Sequence, residues 1–340
     1  MPRERQALQN RCVRILITGG TGFVGGWTAK AIADAGHSVR FLVRNPDRLH
    51  SSVAKLGVDV SDYAVGDITD RVSVREALQG CDAVVHSAAL VATDPRQTNE
   101  MLTTNMQGAQ NVLGQAVELG LDPIVHVSSF TALFHPNLAT MTADLPVVGG
   151  ADGYGTSKAQ VDIYARGLQD AGAPVIITYP GMVLGPPVGD QYGEVGEGLK
   201  AALGMHVIPG RSGGWLIVDV RDLAAVHAAL LEPGRGPRRY TAGGHRVLAA
   251  ELAEMLGHAA DTPMVALPIP DTALRVAGAV LDRAKRLLPF DTPFTSAGMQ
   301  YYTQIPASDD SPSEKELGVS YRDPRQTVAD AIDALRRAGD

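Results

Sequence analysis

The sequence predicts an α/β chain built on a doubly wound parallel sheet, with a smaller C-terminal cap that binds substrate. Short apolar, β-branched runs recur between helical patterns, and each is apolar nearly throughout, as strands buried on both faces are. Strand and helix alternate, which implies parallel strands joined by helical crossovers. A glycine-punctuated turn follows the first run and opens the first helix.

In chain order the expected strands are Val13 to Thr18, Ser38 to Val43, Ala83 to Ser87, Ile124 to Ser128 and Val175 to Tyr179. After Pro180 the rhythm breaks into "GMVLGPPVGDQYGEVGEG", which suits a loop or crossover better than a strand. "WLIVDVRDLAAVHAALLE" and "RRYTAGG" read as a return to the sheet domain, and the remainder from about Ala249 alternates helical segments with prolines. The expected division is a sheet domain of 12–182 with 215–245, a cap of 183–214 with 246–340, and a flexible arm at 1–11.

Composition narrows the partners. The 340 residues are 45% hydrophobic, 20% charged and 5% aromatic, an ordinary globular balance. A formal charge of −7 argues against nucleic acid, whose binding rests on concentrated Lys and Arg, and leaves small molecules as default ligands. Cys12 and Cys81 form no metal-ligand spacing, and no H-E-x-x-H or His/Cys cluster points to a metal. Both thiols read as packing residues, in keeping with a reducing, cytoplasmic setting. "MPRERQALQNRC" has no apolar core, so it does not read as a secretory signal. The most apolar long segment, "TALRVAGAVLDRAKRLLPF" from Thr272, is broken by five charges and reads as an amphipathic helix rather than a membrane span.

In "TGGTGFVG", Gly19, Gly22 and Gly25 are spaced three apart between a strand and the helix that begins near Phe23. Such a turn lets the backbone approach a pyrophosphate, while the helix N-terminus offers free N–H groups and partial positive charge. Gly19, Thr21, Gly22, Phe23, Val24 and Gly25 are therefore candidate cofactor contacts.

This G-x-x-G-x-x-G spacing resembles the extended branch of the short-chain dehydrogenase/reductase superfamily, over roughly residues 13 to 245. Further landmarks occur in the family's order. "GDIT" (Gly66 to Thr69) resembles the adenine-contacting turn after the third strand, which implies Asp67 and Ile68 as contacts. "HSAA" resembles the small-residue turn after the fourth, with Ser87, Ala88 and Ala89 beside the cofactor. "NMQGAQNVL" from Asn105 and "VDVRDLA" from Val218 fill two more positions, and Pro180, closing the last strand before the cap, is a further expected cofactor contact. The resemblance implies a Rossmann-type domain, a nicotinamide cofactor and frequent homodimerisation.

NAD-preferring members end the second strand with an acid. Here Val43 and Arg44 stand there, and a guanidinium suits the 2′-phosphate of NADP that a carboxylate would repel. NADPH is the expected cofactor, with Arg48 assisting.

"YGTSK" places Tyr154 and Lys158 four residues apart, on one face of a helix. With nine Tyr and six Lys, chance would supply roughly 0.16 such pairs, and this is the only one. A carbonyl that accepts hydride also needs a proton, and a phenol near pKa 10 gives one readily at neutral pH only beside a cation. The resemblance implies Tyr154 as proton donor and Lys158 as its modifier and ribose ligand. "VHVSSF" supplies Ser128 and Ser129 at the ligand-binding edge of the fifth strand; counting to the family pattern favours Ser129, with Ser128 as fallback. Asn105 stands where relatives have an Asn associated with a proton relay, though capping or packing explains it equally. His86, His126 and His227 read as local hydrogen-bonding residues.

The extended family includes reductases, epimerases and dehydratases, so the site must decide. Dehydratases carry Asp-Glu after the catalytic hydroxyl, where this chain has Phe130 and Thr131. Nucleotide-sugar epimerases use NAD and basic cap residues; Arg44 opposes that alternative, while Lys200 and Arg211 keep it open. The favoured reading resembles dihydroflavonol-reductase-like and hydroxysteroid-dehydrogenase-like members: an NADP-linked oxidoreductase that reduces a small, largely apolar ketone or aldehyde, or oxidises the matching alcohol. Phe130, Met182 and Val183, with Leu133, Phe134 and Leu184, are candidate pocket residues, although core packing is the simpler account of any one. A non-catalytic NADP-sensing protein is a further alternative, opposed by the presence of both Tyr154 and Lys158.

Overall fold

A computed structural model describes residues 12–92, 95–150, 152–285 and 294–339. The expected arm, 1–11, lies outside them, as does the end of the amphipathic stretch beyond Lys285. In chain order the strands are β1 (Arg14–Thr18), β2 (Ser38–Val43), β3 (Tyr63–Val65), β4 (Ala83–His86), β5 (Ile124–Val127), β6 (Thr140–Met141) and β7 (Val175–Pro180). They continue with β8 (Met182–Leu184), β9 (Val207–Pro209), β10 (Gly214–Asp219), β11 (Arg238–Ala242), β12 (His245–Leu248), β13 (Val265–Leu267) and β14 (Ala307–Ser308).

Seven of these form one sheet in the order β11-β7-β5-β4-β1-β2-β3, and every pairing in it is parallel. Side chains alternate across it: Leu16, Val84, Ile124 and Ile177 join one core, while Ile17, Val85, Val125 and Ile176 join the other. Helices Arg71–Leu78, Thr98–Ala109 and Gly153–Asp170 cover the first face, and Phe23–Asp34 with Val220–Ala229 cover the second. Burial on both faces is why the strands read as unbroken apolar runs. β1 pairs with both β2 and β4, so strand order reverses there and leaves a crevice at the strands' C-terminal ends.

Three expectations are corrected. Of the two segments expected to return to the sheet domain, Arg238–Ala242 pairs with β7 and helix Val220–Ala229 packs on the first sheet, but β10 itself is the middle strand of a second sheet, β12-β10-β8. "GMVLGPPVGDQYGEVGEG", read as a loop, contains β8 and opens helix Gly193–Met205; β8 gains its strand identity by pairing with β10, a partner local sequence cannot reveal. Cys12 is exposed, not packed, because it precedes β1 outside the sheet, whereas half-buried Cys81 has its thiol pushed up to about 11 by burial.

The second sheet shares a third core with the C-terminal helices, through Leu199, Leu252, Leu256, Met299 and Val328. The pairs β13-β9 and β14-β6 add two small parallel ladders, the latter joining the C-terminal region to the segment after β5. No helix among the described residues is long and apolar enough to cross a membrane.

Candidate active site

The glycine turn has separable causes for its three glycines. Gly19 adopts φ +75°, a conformation open mainly to glycine, and a Cβ there would lie 2.7 Å from the Ala88 nitrogen. A Cβ at Gly25 would meet the Gly19 carbonyl oxygen at 2.2 Å. The fold itself requires both. Gly22 differs: its φ is −89°, and a Cβ would meet only the Gly19 oxygen, at 3.2 Å. The space beside it is open.

Gly22 is also the N-cap of helix Phe23–Asp34, which has neither a side-chain cap nor an acidic residue in its first turn. Helices Arg71–Leu78, Gly153–Asp170 and Val220–Ala229, by contrast, are capped by Asp70, Asp152 and Asp219. The first-turn N–H groups of the glycine helix are thus left for an anion. A bare N-terminus beside an open glycine fits a dinucleotide pyrophosphate, so the residues present suit the cofactor expected from sequence.

The other cofactor candidates surround this turn. The Ser87 hydroxyl donates to the Thr18 carbonyl at 2.7 Å, and Ala88 and exposed Ala89 carry the chain along the crevice. Asp67 accepts from the Thr69 amide and hydroxyl at 2.9 and 2.8 Å, and the Ile68 carbonyl accepts from Asn111 at 2.9 Å, which fixes the turn after β3. Arg44 follows β2 with a side chain 79% exposed, and its one ion pair among the described residues is a 3.9 Å approach to Asp67. Pro180 ends β7, buried.

Helix Gly153–Asp170 carries Tyr154 and Lys158 one turn apart. Asp152 caps it by accepting from the Gly155 amide at 2.7 Å, and the Tyr301 hydroxyl holds Asp152 at 3.1 Å. Lys158 is buried; its Nζ donates to the Val127 carbonyl at 3.1 Å and lies 5.9 Å from the Tyr154 ring centroid. Tyr154 remains half-buried.

The two serines are used differently. Ser128 donates to buried Asp162 at 2.9 Å, and Asp162 also accepts from Arg166 at 2.8 Å and from the Tyr179 hydroxyl at 3.1 Å. Burial pushes the Asp162 carboxyl up, and its Arg166, Ser128 and Tyr179 partners pull it down. Arg166 in turn donates to the Leu145 carbonyl. The Ser129 hydroxyl instead accepts from the Thr131 amide at 3.3 Å and hydroxyl at 3.0 Å, and gives its own proton to no group among the described residues. Sequence reasoning missed the network around Asp162; the (i, i+4) spacing of Asp162 and Arg166 was its visible trace.

Asn105 bridges rather than faces the crevice. Its side chain receives the Leu90 amide at 2.7 Å and donates to the Leu90 carbonyl and the Ser157 hydroxyl, each at 2.9 Å. It ties the turn after β4 to the helix of Tyr154. Among the expected pocket residues, Met182 and Val183 are half-buried, but Phe130, Leu133, Phe134 and Leu184 are core, with the Phe134 ring 4.8 Å from that of Tyr301. Phe130, Leu133 and Phe134 are drawn into the apolar core on the first face of the main sheet, and Leu184 into the core shared by the second sheet and the C-terminal helices.

Of the three histidines, His86 bonds Thr18 at 2.8 Å and His227 bonds both Thr28 and Thr178. His126 departs from the hydrogen-bonding expectation: neither ring nitrogen has a partner among the described residues, and the ring stacks on His86 at 5.8 Å. Burial holds His86 and His227 down at about 3 and His126 well below its usual value, with Lys158 adding to the effect on His86 and His126.

A parallel sheet with a strand-order switch, an uncapped glycine helix and a Tyr/Lys helix beside it define a nicotinamide-dependent Rossmann enzyme class. Residues 15–243 match the model of the NAD dependent epimerase/dehydratase family, and the chain belongs to that family, within the extended short-chain dehydrogenases/reductases. It is 28% identical to Sterol demethylase protein B of Methylococcus capsulatus, over 95% of this chain and 98% of that protein. It is 24% identical to Cinnamoyl-CoA reductase 1 of Arabidopsis thaliana, over 96% and 90% respectively. Among solved structures, UDP-glucose 4-epimerase from Bifidobacterium longum, in complex with NAD+ and UDP, superposes with TM-score 0.74 at 20% identity, covering 96% of this chain and 99% of that one. That likeness shows the shared fold.

Proposed function

We propose that the protein is an NADPH-linked dehydrogenase/reductase that interconverts a ketone or aldehyde with the matching alcohol on a small, largely apolar molecule. One observation carries the reading: Ser129, alone of the serine pair, keeps a free hydroxyl proton at a strand end from which the Val127 carbonyl also holds Lys158. When bound, NADPH supplies the hydride that the carbonyl carbon accepts. Ser129 donates a hydrogen bond to the carbonyl oxygen, and Tyr154 gives that oxygen its proton as the charge develops. The Lys158 ammonium stabilises the phenolate left behind and binds the cofactor ribose. In the oxidative direction the same phenolate takes the alcohol proton.

Relatives across nearly the whole chain that are named as reductases support this over epimerisation. So does Arg44, whose long approach to Asp67 leaves its guanidinium open to a 2′-phosphate. The test is a panel of ketones, aldehydes and alcohols assayed by nicotinamide absorbance with both cofactors, for the unmodified chain and Arg44→Asp. Turnover that favours NADPH, and a preference that collapses in Arg44→Asp, is expected. Equal use of both cofactors would overturn the NADPH assignment, and tight NADPH binding without any turnover would favour a sensor.

A further inference from the structure

Away from the reaction centre, a cavity of about 380 Å³ opens where the segment after β5 meets the C-terminal helices. Its wall includes Arg246 of β12, Asp271 and Arg275 of helix Asp271–Lys285, Thr303 of helix Ser296–Thr303, and Asn137 and Gln304. Ser129, Tyr154 and Lys158 do not line it. Its volume lies within the roughly 300–1,000 Å³ of small-molecule sites.

Among the described residues, its arginines lack the carboxylate partners that several others in the chain have. Arg14, Arg166, Arg221 and Arg322 each find a carboxylate. Arg246 and Arg275 share one cavity, and neither forms an ion pair among the described residues. Asp271 lines the same cavity but pairs with neither guanidinium among the described residues, so an anion held by the two forks would supply the charge complement they lack. Arg275 is braced: it donates to the Thr303 hydroxyl at 3.0 Å, and that hydroxyl donates to the Met299 carbonyl at 2.7 Å. The Gln304 amide reaches Asn137 at 3.3 Å, which ties two sides of the wall together. Asp271 adds an acceptor. Its Oδ2 takes the Ser212 hydroxyl at 2.5 Å, while its Oδ1 is buried with no partner among the described residues. A buried carboxylate oxygen left without a donor is costly, and a ligand hydroxyl would satisfy it.

We infer that this cavity is a second ligand site, for a small molecule that carries a carboxylate or phosphate together with a hydroxyl group. The anion sits between Arg246 and Arg275, and the hydroxyl donates to Asp271. The site is independent of the proposed reaction, because its ligand is recognised without any group of the reaction centre.

Calorimetry on the full chain, saturated with NADPH and repeated without it, tests this using glycerate and glycerol 3-phosphate as probes; the two arms separate carboxylate from phosphate recognition. Sodium chloride at matched ionic strength controls for screening. At least one probe should bind saturably, about tenfold more weakly in Arg246→Gln or Arg275→Gln, and not in the double variant. Inorganic phosphate, which lacks the alcohol, should bind more tightly to Asp271→Asn, since the carboxylate that repels it is gone; a wall that matters only for folding would not give that gain. Circular dichroism checks each variant's fold, and Arg246→Gln, altering an exposed side chain, serves alone if the double variant is unfolded. No saturable binding of either probe, or binding retained in folded variants, would overturn the site.

Discussion

Two polar regions meet at the end of β5 through adjacent serines. Ser128 enters a closed set with Asp162, Arg166 and Tyr179, in which buried donors and acceptors answer one another. The second region holds Ser129, whose hydroxyl proton goes to no group among the described residues, with the half-buried Tyr154 and with Lys158 held by the Val127 carbonyl. Polar groups that consume each other's hydrogen bonds build architecture, whereas those that retain capacity at a ligand edge can act on a substrate. Opposite consequences of mutation follow for residues only one position apart.

The largest contrast pits Tyr154→Phe against Asp162→Ala. Loss of the phenol hydroxyl should cut turnover by roughly 10² to 10⁴, with NADPH affinity and thermal midpoint nearly unchanged. Asp162→Ala, which strips Arg166, Tyr179 and Ser128 of a shared buried acceptor, should instead cost about 3 kcal/mol of stability by urea denaturation and spare the activity per folded molecule. Wild-type turnover from Tyr154→Phe would break the comparison from one side, and unchanged stability of Asp162→Ala from the other.

Acid should act on the architecture first. His86, His126 and His227 are kept neutral by burial, so the unfolded chain takes up protons that the folded chain refuses. Their contribution to stability is complete above the unfolded value of 6.5 and is lost as pH falls towards about 3. Each should account for up to about 1.4 kcal/mol per pH unit in that window. Denaturation curves at pH 7.5, 6 and 5 should show the decline; a flat profile would mean that the imidazoles are hydrated or already charged.

The smallest effect sharpens the boundary. Ser128→Ala should lower stability by about 1 kcal/mol and leave turnover in place. Ser129→Ala should lower turnover and leave both stability and NADPH affinity in place. A larger loss of turnover from Ser128→Ala would exchange the two roles.

Most of the sheet was legible because its strands are buried on both faces and its turns need particular residues. β2 matches its expected bounds, and the remaining expected strands differ by a residue at an end. β3, only three residues long with Tyr63 and Val65 exposed, was legible only through the "GDIT" turn that follows it, and β8 was hidden among glycines and prolines until β10 paired with it. The candidate site was legible as residue types at set spacings: the glycines, the Tyr/Lys pair and the two serines. What lay beyond local sequence was which of their atoms were already engaged. Asn105 turned out to be bound on both its amide atoms, Phe130 to be core, and His126 to be without a partner among the described residues.

The sequence by itself determined the fold class, the turn that Gly19 must make, and the helix that brings Tyr154 and Lys158 to one face, because these depend on backbone sterics and on periodicity within a few residues. Tertiary structure alone decided that Asn105 is spent on Leu90 and Ser157, that Ser128 belongs to Asp162, and that Arg246 and Arg275 share a cavity with Asp271 while pairing with no carboxylate among the described residues. Those outcomes rest on contacts between residues distant in the chain or on the direction in which a hydroxyl is spent. Chain folding sets both, and no local pattern encodes them.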